Sequence, residues 1–278
     1  MNRRIIFSII ALLVSLSYAV AQTRTIAIDG PNGKLMADVH TPQLNEGEKK
    51  PLVIIMHGFT ANRNYPLVSA IYEEITAQGL GAIKFDFDGH GESGGSFTDM
   101  TVPKEINDAL AVYEYACALP WVSDIYFVGH SQGGVVASMT AGKLGTEKVA
   151  GVCLLAPAAV LRDDAIRGQL MGTTYDASNP PETVGIYRGL HVGRQYILTA
   201  QTLPIYDTAK MYQGPALMLH GTADVIVPYT YTLHYDEIYG TGCLRLLPGV
   251  NHSFTGHEKE AASIVADFLR QTVNCYVL

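Results

Sequence analysis

The sequence predicts an α/β fold: one domain built on a mostly parallel central sheet flanked by helices. Three observations carry this expectation. Apolar runs of strand length alternate with amphipathic stretches at helical spacing, the pattern left by parallel strands buried on both faces under crossover helices. No internal repeat, low-complexity tract or interdomain linker interrupts the alternation. The span 22–278 suits one doubly wound unit better than two small domains.

The chain opens on Arg3 and Arg4, followed by the apolar run Ile5 to Val14 and the small residues Ala19-Val20-Ala21. That order of charge, apolar run and cleavable small residues predicts a signal peptide over 1–21, Gln22 as the new N-terminus, and a secreted or periplasmic destination. The apolar run is shorter than the ~20 residues a bilayer span needs. No Cys follows the cleavage point to take a lipid, so no stable membrane anchor is expected after cleavage. The chain carries 19 basic and 26 acidic residues, a formal charge of −7, and loss of Arg3 and Arg4 with the leader makes it −9. Such an acidic balance argues against nucleic acid or anionic membrane as partner.

Ile26 to Ile28 and Lys34 to His40 form an opening antiparallel hairpin, with Asp29-Gly30-Pro31-Asn32-Gly33 supplying the turn. Buried strands follow at Leu52 to Met56, Gly81 to Phe85, Ile125 to Val128, Val149 to Leu155, Ala216 to Leu219 and Cys243 to Leu247. Helical spacing marks Val102 to Leu119, which stops at Pro120, and Ala262 to Leu269, which puts Ile264, Val265, Phe268 and Leu269 on one face. Residues 157–206 break the rhythm, with no strand-like run and scattered Gly, Pro, Asp and Tyr. An insertion of that length at the C-terminal end of a parallel strand reads as a lid over the ligand crevice.

The four cysteines lack the close paired spacings of zinc or redox motifs, so no metal is expected through Cys. Cys117 and Cys153 read as buried small hydrophobes. Cys243 and Cys275 flank the last strand and helix and could pair in an oxidising compartment, although sequence does not fix connectivity.

The chemistry concentrates at Gly129-His130-Ser131-Gln132-Gly133, entered from the strand Ile125 to Val128 and left by the helical run Val135 to Leu144. Strand, sharp turn and helix around G-x-S-x-G make a nucleophile elbow, in which small residues let a strained Ser project its hydroxyl above the sheet. This context specifies the α/β-hydrolase fold, with Ser131 as nucleophile and the lid inserted between the nucleophile and acid strands. A serine hydroxyl needs an imidazole to take its proton and a carboxylate to orient the imidazole. His252 and Asp224 each follow a strand through a short Gly-containing turn, where this fold places base and acid. His257 reads as a surface or capping residue, and His220 as a local hydrogen-bonding partner. Asp86 and Asp88 lie in a Gly-rich turn that shapes the backbone. The oxyanion needs two N–H donors; Gln132, next to the nucleophile, supplies one, and Phe59, in the loop His57-Gly58-Phe59-Thr60, the other. His57 reads as the brace of that loop. No metal or cofactor is required by this set.

The chain resembles the bacterial cinnamoyl (feruloyl) esterases of the α/β-hydrolase superfamily. The resemblance rests on His57 to Asn64, Phe85 to Gly91, Gly129 to Ser138, Leu154 to Ala159 and, in the lid, Leu203-Pro204-Ile205-Tyr206. It implies an acyl-enzyme hydrolase acting on a small-molecule or oligosaccharide-linked hydroxycinnamoyl ester, such as a ferulate, p-coumarate or caffeate of plant cell wall. It also implies that Asp164 and Tyr196 bond the phenolic hydroxyl. Where relatives can carry a polar Gln near the phenol end, this chain has Met171, whose thioether accommodates a methoxyl more readily than it bonds a second hydroxyl. Fold and triad do not determine the acyl group, so a short-chain acyl esterase, a lipase-like enzyme or an acyl-peptide hydrolase stays open beside this reading. A binding module on an inactive hydrolase fold would lack a triad residue, and none is missing.

Overall fold

The computed structural model describes residues 20–240 and 242–275, with side chains through 273. All but the last two residues of the expected leader lie outside the described residues, as does the side chain of Cys275 in the expected Cys243–Cys275 pair.

In chain order the elements are β1 Gln22–Gly30, β2 Gly33–Thr41, β3 Lys50–Met56, α1 Pro66–Ala77, β4 Gly81–Phe85, α2 Val102–Cys117, β5 Val122–His130, α3 Gln132–Leu144 and β6 Gly151–Leu155. The lid follows with α4 Val160–Arg167, β7 Gln169–Leu170, β8 Thr173–Thr174, β9 Thr183–Gly185, β10 His191–Gly193, α5 Arg194–Gln201 and α6 Ile205–Ala209. The chain closes on β11 Ala216–Gly221, α7 Thr230–Tyr239, β12 Cys243–Leu247 and α8 Glu258–Cys275.

Eight strands form one sheet in the order β1-β2-β4-β3-β5-β6-β11-β12. β1 and β2 pair antiparallel, and β2 lies antiparallel on β4. Every later pairing is parallel. The central strands are buried along their whole length because helices cover both faces. Period-2 alternation divides β3 cleanly: Leu52, Ile54 and Met56 enter one core, Val53 and Ile55 the other. Under the second face, α1 brings Leu67, Val68, Ile71 and Ile75, and α8 brings Ala261, Ala262, Val265 and Leu269. The first face receives α2 and α3, and the lid residues Tyr196, Ile197, Leu203 and Ile205 join the same core. Each such side chain contributes roughly 1.5–3 kcal/mol of burial, so the lid is integral to the domain.

Two expectations are corrected. Cys117 is exposed, because Val112, Tyr113 and Ala116 take the inward face of α2 and the next residue turns away from it. The lid does contain strands: β7 pairs with β8 and β9 with β10, in two antiparallel pairs of two and three residues per strand, too short to leave a periodic signal.

Candidate active site

β5 ends at His130, and α3 begins at Gln132, so Ser131 alone makes the turn. Its backbone sits at φ 56°, ψ −123°, outside the ordinary regions for a side-chain-bearing residue. Backbone packs on backbone around it. A Cβ on Gly133 would come within 2.3 Å of the His57 carbonyl oxygen, and one on Gly129 within 2.2 Å of the Gly133 oxygen. Only glycine permits the elbow and the His57 loop to approach this closely.

The structure brings Ser131, His252 and Asp224 together from three different strand ends. His252 Nε2 lies 2.9 Å from Ser131 Oγ and His252 Nδ1 2.6 Å from Asp224 Oδ2. With Nδ1–H donating to the carboxylate, the Nε2 lone pair faces the serine hydroxyl, which is the tautomer that general-base action requires. Asp224 is fixed on both oxygens: Oδ1 accepts the N–H groups of Ile226 and Val227 at 2.8 Å, and Oδ2 also accepts His220 Nε2–H at 2.9 Å. Burial alone would raise its carboxyl. The bonds from His220 and His252 outweigh burial and hold it well below the usual carboxylate range, so it stays ionised beside the base.

Two histidines with no place in the triad complete the frame. His220 donates to Asp224 and lies 2.5 Å from Thr232 Oγ1, tying the acid to α7. His130 Nε2 lies 2.9 Å from the His252 carbonyl oxygen, so its ring donates across the site and fastens the base loop to the elbow. Burial, with His252 nearby, pushes His130 down to about 3 and keeps it neutral. His220 has the local bonding its sequence position suggested, with partners 4 to 12 residues away, whereas the His130 bond was invisible in sequence because it joins residues 122 apart. His57 braces its loop as expected: Nε2 accepts the Phe87 N–H at 3.1 Å, leaving Nδ1–H to the Gly58 oxygen at 2.9 Å. Asp86 shapes the backbone as expected, accepting the N–H groups of Arg63 and Glu92 at 2.6 and 2.9 Å. His257 is exposed and paired with Glu260.

Gln132 opens α3, so its N–H is among the first-turn donors without an intrahelical acceptor. Phe59 lies opposite, on the loop after β3, and lines the space above Ser131. The side chain of Gln132 is buried and clamped: Nε2 donates to Glu105 Oε2 at 2.8 Å, and Oε1 accepts the Tyr196 hydroxyl at 2.8 Å. Burial raises the Glu105 carboxyl well above its ordinary value, opposed by the Gln132 bond. A polar relay thus runs from α2 through the elbow to lid helix α5.

Two cavities meet at Ser131. The narrower, about 60 Å³, is walled by Phe59, Leu161, Leu170, Tyr196 and Val227, with Asp164 as its carboxylate. The Asp164 carboxylate has no hydrogen-bond partner among the described residues, and burial raises its pKa. Tyr196 is buried in that wall, but its proton is committed to Gln132, so it faces the cavity as an acceptor. The wider cavity, about 280 Å³, reaches His252 and is lined by Thr60, Asn62, Tyr187, Arg188 and Ser253. Met171 borders both, at φ 47° on the lid.

Residues 47–176 match a family model described as serine aminopeptidase, S33 (Hydrolase_4). The solved structure of Est1E from Butyrivibrio proteoclasticus with bound ferulic acid is 32% identical, with a TM-score of 0.85 over 90% of this chain and 99% of that one. A second Est1E structure is 30% identical at a TM-score of 0.81, with the same coverage. Among curated proteins, lysophosphatidylserine lipase ABHD12 of Xenopus tropicalis is 25% identical over 80% of this chain and 58% of its own length. Human protein ABHD12B is 26% identical over 68% and 49%. The chain spans about half the length of the curated relatives it matches. Elbow, sheet order and a full-length relative at this identity agree: the chain belongs to the α/β-hydrolase family of serine hydrolases.

Proposed function

We propose that the protein is a carboxylic-ester hydrolase that releases hydroxycinnamic acids from their esters, acting in the periplasm or outside the cell after loss of residues 1–21. One observation carries the reading: besides the elbow residues Ser131 and Gln132, the narrow, largely apolar cavity is lined by two polar side chains, Asp164 and Tyr196, and both are hydrogen-bond acceptors. An aromatic acyl group that donates through a ring hydroxyl matches that lining. The likeness to a structure that binds ferulic acid supports it. Ser131 attacks the ester carbonyl as His252 takes its proton, Asp224 holds the imidazolium, and the N–H groups of Phe59 and Gln132 receive the oxyanion. The alcohol leaves with the proton from His252, and water then attacks the acyl-enzyme with His252 again as base.

The test compares release of ferulic, p-coumaric and caffeic acids from their methyl esters with hydrolysis of methyl 4-methoxycinnamate and p-nitrophenyl butyrate, using Ser131→Ala as control. The hydroxylated esters are expected to be cleaved fastest, because a methylated ring oxygen leaves both acceptors without a donor. Activity on butyrate alone would remove the acyl assignment and favour a short-chain or lipase-like esterase.

A further inference from the structure

With the acyl group assigned to the narrow cavity, the wider one is left for the other half of the ester. Because His252 lines it, the alcohol that takes its proton from Nε2 departs through this space. Arg188 is the sole Lys, Arg, Asp or Glu among its lining residues. In a chain with excess acid this arginine forms no ion pair among the described residues; its guanidinium carbon lies 5.9 Å from the neighbouring Tyr187 ring centroid. Six described non-glycine residues have left-handed backbone, and four of them, Thr60, Ser131, Met171 and Arg188, line this cavity. Such strain persists where surrounding structure over-determines it, and it concentrates at ligand clamps. The Tyr187 hydroxyl, 2.5 Å from Thr60 Oγ1, pins the hairpin tip carrying Arg188 to the oxyanion loop.

From these observations, and resting on the esterase reading, we propose that this cavity binds the alcohol half of the substrate and that the alcohol carries a carboxylate held by Arg188. A guanidinium offers a planar fork of donors that fits a carboxylate bidentately. Thr60, Asn62 and Ser253 supply short polar contacts for hydroxyls on the same alcohol.

The probes are the feruloyl esters of 3-hydroxypropanoate and of 3-hydroxypropanamide, nearly isosteric and differing in charge. The wild type is expected to prefer the carboxylate ester on the order of tenfold in kcat/KM, mainly through KM. That ratio is expected to shrink at raised ionic strength, fall to near one in Arg188→Gln, persist in part in Arg188→Lys and invert in Arg188→Glu. Equal rates on the two esters in the wild type, or an unchanged ratio in Arg188→Gln, would overturn the proposal. If ferulate esters are refused but p-nitrophenyl butyrate is cleaved, the acyl reading fails by itself, and the butyrate esters of the same two alcohols decide the role of Arg188.

Discussion

Asp224 accepts four hydrogen bonds, and only one comes from the base it orients. Removing the His220 donor with His220→Leu is expected to lower kcat on the order of tenfold with KM little changed, since a hydrogen bond to a charged group contributes about 1.5–3 kcal/mol. Steady-state kinetics on a methyl ester checks it. Tyr196→Phe removes the one hydroxyl that satisfies Gln132 Oε1, so the variant is expected to lose about 1–3 kcal/mol of stability by denaturant melt. Burial raises Asp108 to about 7, although it accepts the Asp88 N–H at 3.0 Å. A carboxyl raised above its ordinary 3.8 stabilises the fold fully below 3.8 and loses that contribution as pH climbs through about 7. Asp108→Asn does not titrate, so its unfolding free energy relative to wild type, measured by chemical denaturation, is expected to improve across that window, by at most about 1.4 kcal/mol per pH unit, and then level off. The histidines are common to both proteins and cancel in the difference. The triad residues were legible in sequence because each follows its strand within a few positions. Glu105 and His130 were not, since their roles exist only once distant segments meet; for His220 the local bonding was legible, though not that its partner is the triad acid.

Helix α3 crosses α6 so closely that a Cβ on Gly142 would lie 2.0 Å from the Thr208 carbonyl oxygen. Gly142→Ala is therefore expected to cost about 1–3 kcal/mol, read as a lowered unfolding midpoint, with activity per folded molecule retained. Nothing in the local sequence announces this crossing. Strands were legible because their apolar runs are continuous, and α2 because Ile106, Leu110, Val112 or Tyr113 and Cys117 recur at near-helical spacing, although Ala109 and Ala116 rather than Leu110 and Cys117 are the buried residues of its inner face. α1 and α7 escaped notice. The inward stripe of α1 includes Tyr72 beside Leu67, Val68, Ile71 and Ile75, while α7 buries only Thr232, Tyr235 and Tyr239, residues that also suit strands and loops.

Across the whole molecule, the turn after β4 is held to the loop after β3 by one buried cation. The guanidinium of Arg63 bonds Asp86 and Glu92, with Asp38 3.6 Å from its Nε. Asp86 is fully buried, so Arg63→Met is expected to cost about 3–5 kcal/mol by leaving that carboxylate unpaired, measured by chemical denaturation. The pairing of these two loops was invisible in sequence, though the Gly-rich turn itself was plain. The meeting of two cavities at one serine also sets an order of events. In the proposed mechanism, while the acyl group is esterified to Ser131, the narrow cavity is filled and the wide one has released its alcohol. Water and any alcohol in solution then reach the acyl carbonyl through the same opening, so deacylation becomes a competition between nucleophiles for one position. An added alcohol that occupies this position well would divert the acyl group into a new ester, and the ratio of ester to free acid would report its occupancy.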